Sequence, residues 1–155
     1  MKLSNTFLLI IVFFLFSCDK KNNEKVIVFN VVTNKKFNLS LSIKNKDTII
    51  DYKYLSKEKI KNLGFRYYIK KDVLVGEDIF FFKNKKVNYK NIDFKLYGLS
   101  AGNGLVSHPG MIFFNKEYGI LANATYGASF LFLKDSISKL EREQLFNKII
   151  SKIEE

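Results

Sequence analysis

The strongest constraint on this chain is an alternation of apolar and polar residues with a period of two. Phe37, Leu39, Leu41 and Ile43 alternate with Asn38, Ser40 and Ser42. That spacing puts the apolar set on one face of an extended strand and the polar set on the other, which a helix cannot do. Val26–Phe29 opens a β-rich run, and Ile79–Phe82 reads as a buried strand. Thr48–Tyr54, Phe65–Val75, Val87–Leu96, Met111–Phe114, Gly119–Thr125 and Ala128–Leu133 are further β-branched and aromatic segments. Gly76–Asp78, Lys83–Lys86 and Asn115–Tyr118 read as breaks between them.

The helical signal comes late. Ser138-Lys139-Leu140-Glu141 fits a capping box, and Phe146, Ile149, Ile150 and Ile153 follow at i, i+3, i+4 and i+7. A shorter helix is expected from an N-cap at Ser56 through Leu63, ended by Gly64. Strands with one late amphipathic helix predict an α+β fold. It is an antiparallel β-sheet with a short internal helix and a C-terminal amphipathic helix packed on it. An open sheet is the first reading, and a small β-barrel with a C-terminal helix is the alternative. No internal repeat or Pro/Ser-rich linker divides the chain, so residues 26–155 read as a single globular domain.

A hydrophobic content of 47%, with 15% aromatic residues, excludes a disordered chain. One cysteine excludes an internal disulfide framework and a multi-cysteine zinc site, and one histidine excludes a His-rich metal site. No metal and no cofactor is expected.

Residues 1–17 have the order of a secretory signal peptide: Lys2, the ten-residue apolar run Phe7–Phe16, and the small Ser17. As a helix the run spans about 15 Å, half of a ~30 Å hydrocarbon core, so it is too short to cross alone. Leu15-Phe16-Ser17-Cys18 resembles the lipobox of bacterial lipoproteins, and the start Ser17-Cys18-Asp19-Lys20-Lys21 resembles small lipoproteins of Bacteroidota. The resemblance implies cleavage before Cys18 and acylation of that residue, palmitate among the chains added. The product is a membrane-anchored lipoprotein of the bacterial cell envelope. Two or three chains would hold it there, since one binds only marginally. Residues 18–25 then read as the lipidated Cys and a polar tether.

The net charge of +11 is unevenly placed. Asp19–Tyr97 carries 19 basic and 9 acidic residues, whereas Gly98–Glu155 carries 6 of each. Attraction to an anionic envelope component is one reading. The other is a solvated face with codon bias, since 24 of the 26 basic residues are Lys. Scarce Arg argues against nucleic acid as a partner. The expected partners are the membrane, through acyl chains on Cys18, and an envelope protein or anionic envelope component.

No catalytic set emerges. Gly102-Asn103-Gly104 is followed by neither Gly-Lys-Ser/Thr nor a helix, so it is not a phosphate loop. His108 stands beside Ser107 without a Gly-x-Ser-x-Gly elbow. Asp72, Glu77, Asp78, Asp93 and Glu117 are carboxylates near strand ends, and each also suits a turn. Tyr67, Tyr68, Tyr89, Tyr97, Tyr118 and Tyr126 are candidate rings for stacking or pocket filling. The binding edge is expected in the loop Gly98–Gly110, with Tyr97, Gly102, Asn103, Gly104, His108, Tyr118 and Tyr126 as its residues. The expected function is a non-catalytic binding or interaction domain. The alternatives are an envelope hydrolase using His108 or a carboxylate pair, and a barrel carrying a hydrophobic ligand.

Overall fold

The alternation at Phe37–Ile43 lies on the second of ten antiparallel strands in the computed structural model, which describes residues 23–56, 62–99, 110–125 and 128–155. These are β1 Asn23–Asn30, β2 Lys36–Lys46, β3 Ile49–Ser56, β4 Leu63–Tyr68 and β5 Val73–Val75. They continue as β6 Ile79–Tyr89, β7 Ile92–Leu99, β8 Met111–Asn115, β9 Gly119–Thr125 and β10 Ala128–Leu133, followed by the helix α1 Lys139–Glu154. Each strand pairs with its chain neighbour, and β1 pairs with both β2 and β10. The antiparallel sheet with a C-terminal helix is as the sequence predicts. The sheet does not lie open, however; it closes into the barrel that was the alternative. Closure pairs the edge strands β1 and β10 and so removes the exposed edges of an open sheet. Register shifts in β6 between Phe82 and Lys86, and in β9 at Leu121 opposite Phe113–Phe114 of β8, supply bends of the kind that curl a sheet.

The strands divide their apolar residues between two cores. Val26, Val28, Leu39, Leu41, Tyr52, Tyr54, Tyr67, Leu74, Tyr97, Ile112, Phe114 and Phe132 fill the interior. Phe29, Val87, Phe94, Leu96, Phe113, Leu121, Leu131 and Leu133 point outward and are covered by α1 through Leu145 and Ile149. This explains the two sequence patterns. β2 has one buried face and alternates, whereas β1, β8 and β10 lie between interior and helix and are apolar on both faces. The run Ile79–Phe82, expected to be a buried strand, is buried on one face only: Phe80 turns inward, while Ile79 and Phe81 stand exposed on the outer wall, which α1 does not cover there.

The capping box at α1 is present: the Ser138 hydroxyl accepts the Glu141 N–H at 3.2 Å, and the Glu141 carboxylate accepts the Ser138 N–H at 2.8 Å. Ile149 of the expected stripe is fully buried and Phe146 and Ile153 pack at its margin, but Leu145 is a second anchor outside that stripe.

Four boundaries differ from the sequence reading. β1 opens at Asn23, so Asn23, Glu24 and Lys25 of the expected tether are paired with β2; backbone pairing needs no apolar side chain there. Phe65–Val75 is a hairpin rather than one strand, because a 3-10 turn at Ile69–Lys71 and a left-handed Asp72 reverse the chain. The turn expected at Lys83–Lys86 is strand; the reversal falls at Lys90-Asn91, both left-handed, which matches the twist of a two-residue hairpin. Gly64 lies in β4 and ends no helix. The short helix expected after Ser56 falls largely on residues 57–61, outside the described residues, and Leu63 already belongs to β4.

Candidate functional site

An up-and-down barrel has two ends, and here they are built differently. The turns β2–β3, β4–β5, β6–β7 and β8–β9 gather at one end. There the interior is plugged. Asp72, at the end of the 3-10 turn, accepts the Tyr97 hydroxyl at 2.6 Å, the Tyr67 hydroxyl at 2.9 Å and the Lys95 ammonium at 2.7 Å. Lys95 also lies 5.0 Å from the Phe82 ring centre. Tyr67 and Tyr97 meet Phe114 with ring centres 5.3 and 5.8 Å apart, and Tyr52 meets it edge-on at 5.1 Å. The Tyr52 hydroxyl donates to the Lys116 carbonyl at 2.5 Å.

Burial works against the Asp72 charge, but the bonds from Lys95, Tyr97 and Tyr67 outweigh it and hold the carboxyl below its ordinary range. Burial, then the bond to Asp72, pushes Tyr67 up to about 12, and the same two causes raise Tyr97. Each polar atom in this cluster has a partner of the opposite kind, so its chemistry is that of a structural plug.

At the other end β1, β3, β5, β7 and β9 finish and β2, β4, β6, β8 and β10 begin. Among the described residues, the interior opens there into a cup of about 250 Å³. Its walls are Leu63 and Phe65 of β4, Phe80 of β6, Leu99 of β7 and Ile112 of β8. Asn62, Glu77, Asp78 and Asn123 supply the polar lining, with Gly64 and Gly110 completing it. Asn123 stands directly across from Ile112 on β8 and Phe130 on β10, both inward residues, so it faces the interior. A cup with apolar walls and a few polar groups is the ordinary form of a ligand site.

The predicted site residues are dispersed. Tyr97 is 1% exposed and bonded to Asp72 at the plugged end, so it presents no surface ring. Tyr118 lies in the outer core, donating to the Phe132 carbonyl at 3.3 Å and accepting the Lys134 N–H at 3.0 Å. The two rings therefore sit on opposite faces of the wall. Gly102, Asn103, Gly104, His108 and Tyr126 lie outside the described residues, as does Cys18. The strands flanking the Gly-rich stretch, β7 and β8, end and begin at the cup. Of the carboxylates, Asp93 accepts from Asn88 at 2.8 Å, Glu117 is exposed in the β8–β9 turn, and Glu77 and Asp78 stand at the rim of the cup. In the basic region, Lys46 and Arg66 both pair with Asp51, at 2.6 and 3.5 Å, on the outer wall.

Leu99 and Gly110, at the two ends of the expected loop, line the cup, whereas sequence reasoning passed over Asn123 and Phe80. The available signal was Asn123 itself, a polar residue at an inward position of an apolar strand.

In comparisons of sequence and fold, no family model, no curated protein and no solved structure matches the chain. Among the described residues no helix is long and apolar enough to cross a membrane.

Proposed function

We propose that this is a lipid-anchored protein of the bacterial envelope whose barrel is a non-catalytic binding domain, recognising its target at the open end. The observation that carries the reading is the asymmetry of the barrel. One end is filled by rings and a fully bonded carboxylate, and the other opens into an apolar cup with polar lining. Among the described residues, the cup is therefore the way in for a target. The anchor rests on the lipobox-like Leu15–Cys18, which stands five residues before β1. Five residues extend at most about 18 Å, which would hold the barrel close to the bilayer. A carrier with a ligand deep inside the barrel is less well supported, because Tyr52, Tyr54, Tyr67, Tyr97 and Phe114 occupy that space.

Two measurements test the reading. Radiolabelled palmitate is expected to enter the full chain and not Cys18→Ala, and a variant that partitions into detergent like the wild type sinks the anchor. A photo-crosslinking residue at Asp78, on the rim, is expected to capture an envelope component that one at Lys90, in the opposite-end turn, does not. Equal capture from both sites sinks the binding end.

A further inference from the structure

The asparagines near the ends of the strands mostly have structural work. The Asn30 side chain accepts the Thr33 N–H at 2.9 Å, Asn62 accepts the Ser56 N–H at 3.1 Å, and Asn115 accepts the N–H groups of Glu117 and Tyr118 at 2.8 and 3.0 Å. Asn123 differs. It faces inward between Ile112 and Phe130, lines the cup, and its side-chain amide has no hydrogen-bond partner among the described residues. No buried side-chain polar atom among the described residues is left unsatisfied, so the Asn123 amide is not sealed off but opens onto the cup.

An inward amide is a poor choice for packing alone, since an apolar residue there would extend the core made by Ile112, Phe114 and Phe130. It is a good choice for reading a ligand, because it offers two N–H donors and one carbonyl acceptor. We propose that the cup binds a small uncharged amphiphile, and that Asn123 reads a head group that both donates and accepts hydrogen bonds, such as an amide.

Three features set the class. The walls are Leu63, Phe65, Phe80, Leu99 and Ile112, so the body of the ligand is apolar. The volume of about 250 Å³ falls below the ~300–1,000 Å³ of sites for drug-sized molecules, so that body is short. The head is uncharged because the inward charge at the other end, Lys95, is already matched by Asp72. At the cup the carboxylates of Glu77 and Asp78 belong to exposed rim residues. Among the described residues, an ion drawn down to Asn123 would lose its water without gaining a buried counter-charge.

The proposal rests on the open end being the binding end, and the experiment separates the two. The full chain is titrated with hexanamide and with toluene, following the methyl resonances of Ile112 and Leu99 and the side-chain amide of Asn123. Both probes are expected to shift the methyls of the wild type. Asn123→Leu replaces the amide with an apolar side chain of similar size at the same inward position, so it is expected to weaken hexanamide about tenfold, the worth of one to two hydrogen bonds, and to leave toluene unchanged. If Asn123→Leu binds both probes as the wild type does, the recognition by Asn123 is wrong and the cup stands. If neither probe moves the wild-type methyls, the cup is not a binding site and the proposed function falls with it. Leu63→Trp, which fills the cup from its wall, is expected to abolish both shifts; full binding to this variant would place the probes elsewhere and overturn the proposal.

Discussion

The Tyr54 hydroxyl and Gly119 fit together because Gly119 has no side chain. A Cβ at Gly119 would lie 2.5 Å from the Tyr54 oxygen, and the residue also adopts φ +90, which side chains rarely tolerate. The vacancy lets the hydroxyl accept the Ile120 N–H at 2.8 Å, joining β3 to β9 through the barrel interior. Gly119→Ala is therefore expected to cost about 2–4 kcal/mol, the sum of left-handed strain and overpacking. Tyr54→Phe, which leaves the Ile120 N–H buried and unpaired, is expected to cost about 1–3 kcal/mol. Chemical denaturation of the two single variants and the double variant checks both, and additive costs would show that the residues are not coupled.

Acid is expected to loosen the plugged end first. Asp72 has its carboxyl held below the ordinary range, so between that value and the unfolded one the unfolded chain binds more protons. Its contribution is present above the unfolded pKa of about 3.9 and is lost as pH falls through the folded value. Melting temperatures measured from pH 6 to pH 2 are expected to fall less steeply in Asp72→Asn than in the wild type. Tyr97→Phe removes one donor and is expected to cost about 1–2 kcal/mol while moving the Asp72 carboxyl back toward its ordinary value, visible in its carboxyl carbon resonance.

Alkali acts with the opposite sign. Burial first pushes Tyr118 up to about 12, as it does Tyr67, so these phenols stay protonated in the folded chain where the unfolded chain would ionise. Stability is complete below the unfolded tyrosine value of about 10 and is lost as pH rises through about 12. Tyrosinate absorbance is expected to rise late and together with unfolding. A smooth titration of all eight tyrosines near pH 10 would contradict the burial.

The helix gives a contrast between its first turn and its buried face. Ile149 is fully buried against the outer wall, whereas Leu140 is 63% exposed. Ile149→Ala is expected to cost about 2–5 kcal/mol, Ser138→Ala about 1 kcal/mol through loss of the cap, and Leu140→Ala less than about 0.5 kcal/mol. Thermal melts of the three variants check the order.

Much of the local structure was legible in the residues. The alternation at Phe37–Ile43, the β-branched and aromatic segments of β8 and β10, and the capping box before α1 each depend on neighbours within a few positions. The candidate site was far less legible. Tyr97 looked like a surface ring and is a core hydroxyl, because its role is fixed by Asp72, twenty-five positions away. Asn123 was legible only as a polar residue in an apolar strand, and its significance depends on which face of β9 turns inward.

By itself the sequence determined that this chain forms antiparallel strands with one late amphipathic helix, since side-chain period and capping are local properties of the backbone. The tertiary structure decided the rest. Closure depends on β1 meeting β10, about a hundred positions apart, which no short-range pattern encodes. That closure separates inner from outer core, seals one end with Asp72 and its tyrosines, and leaves Asn123 facing the opening at the other.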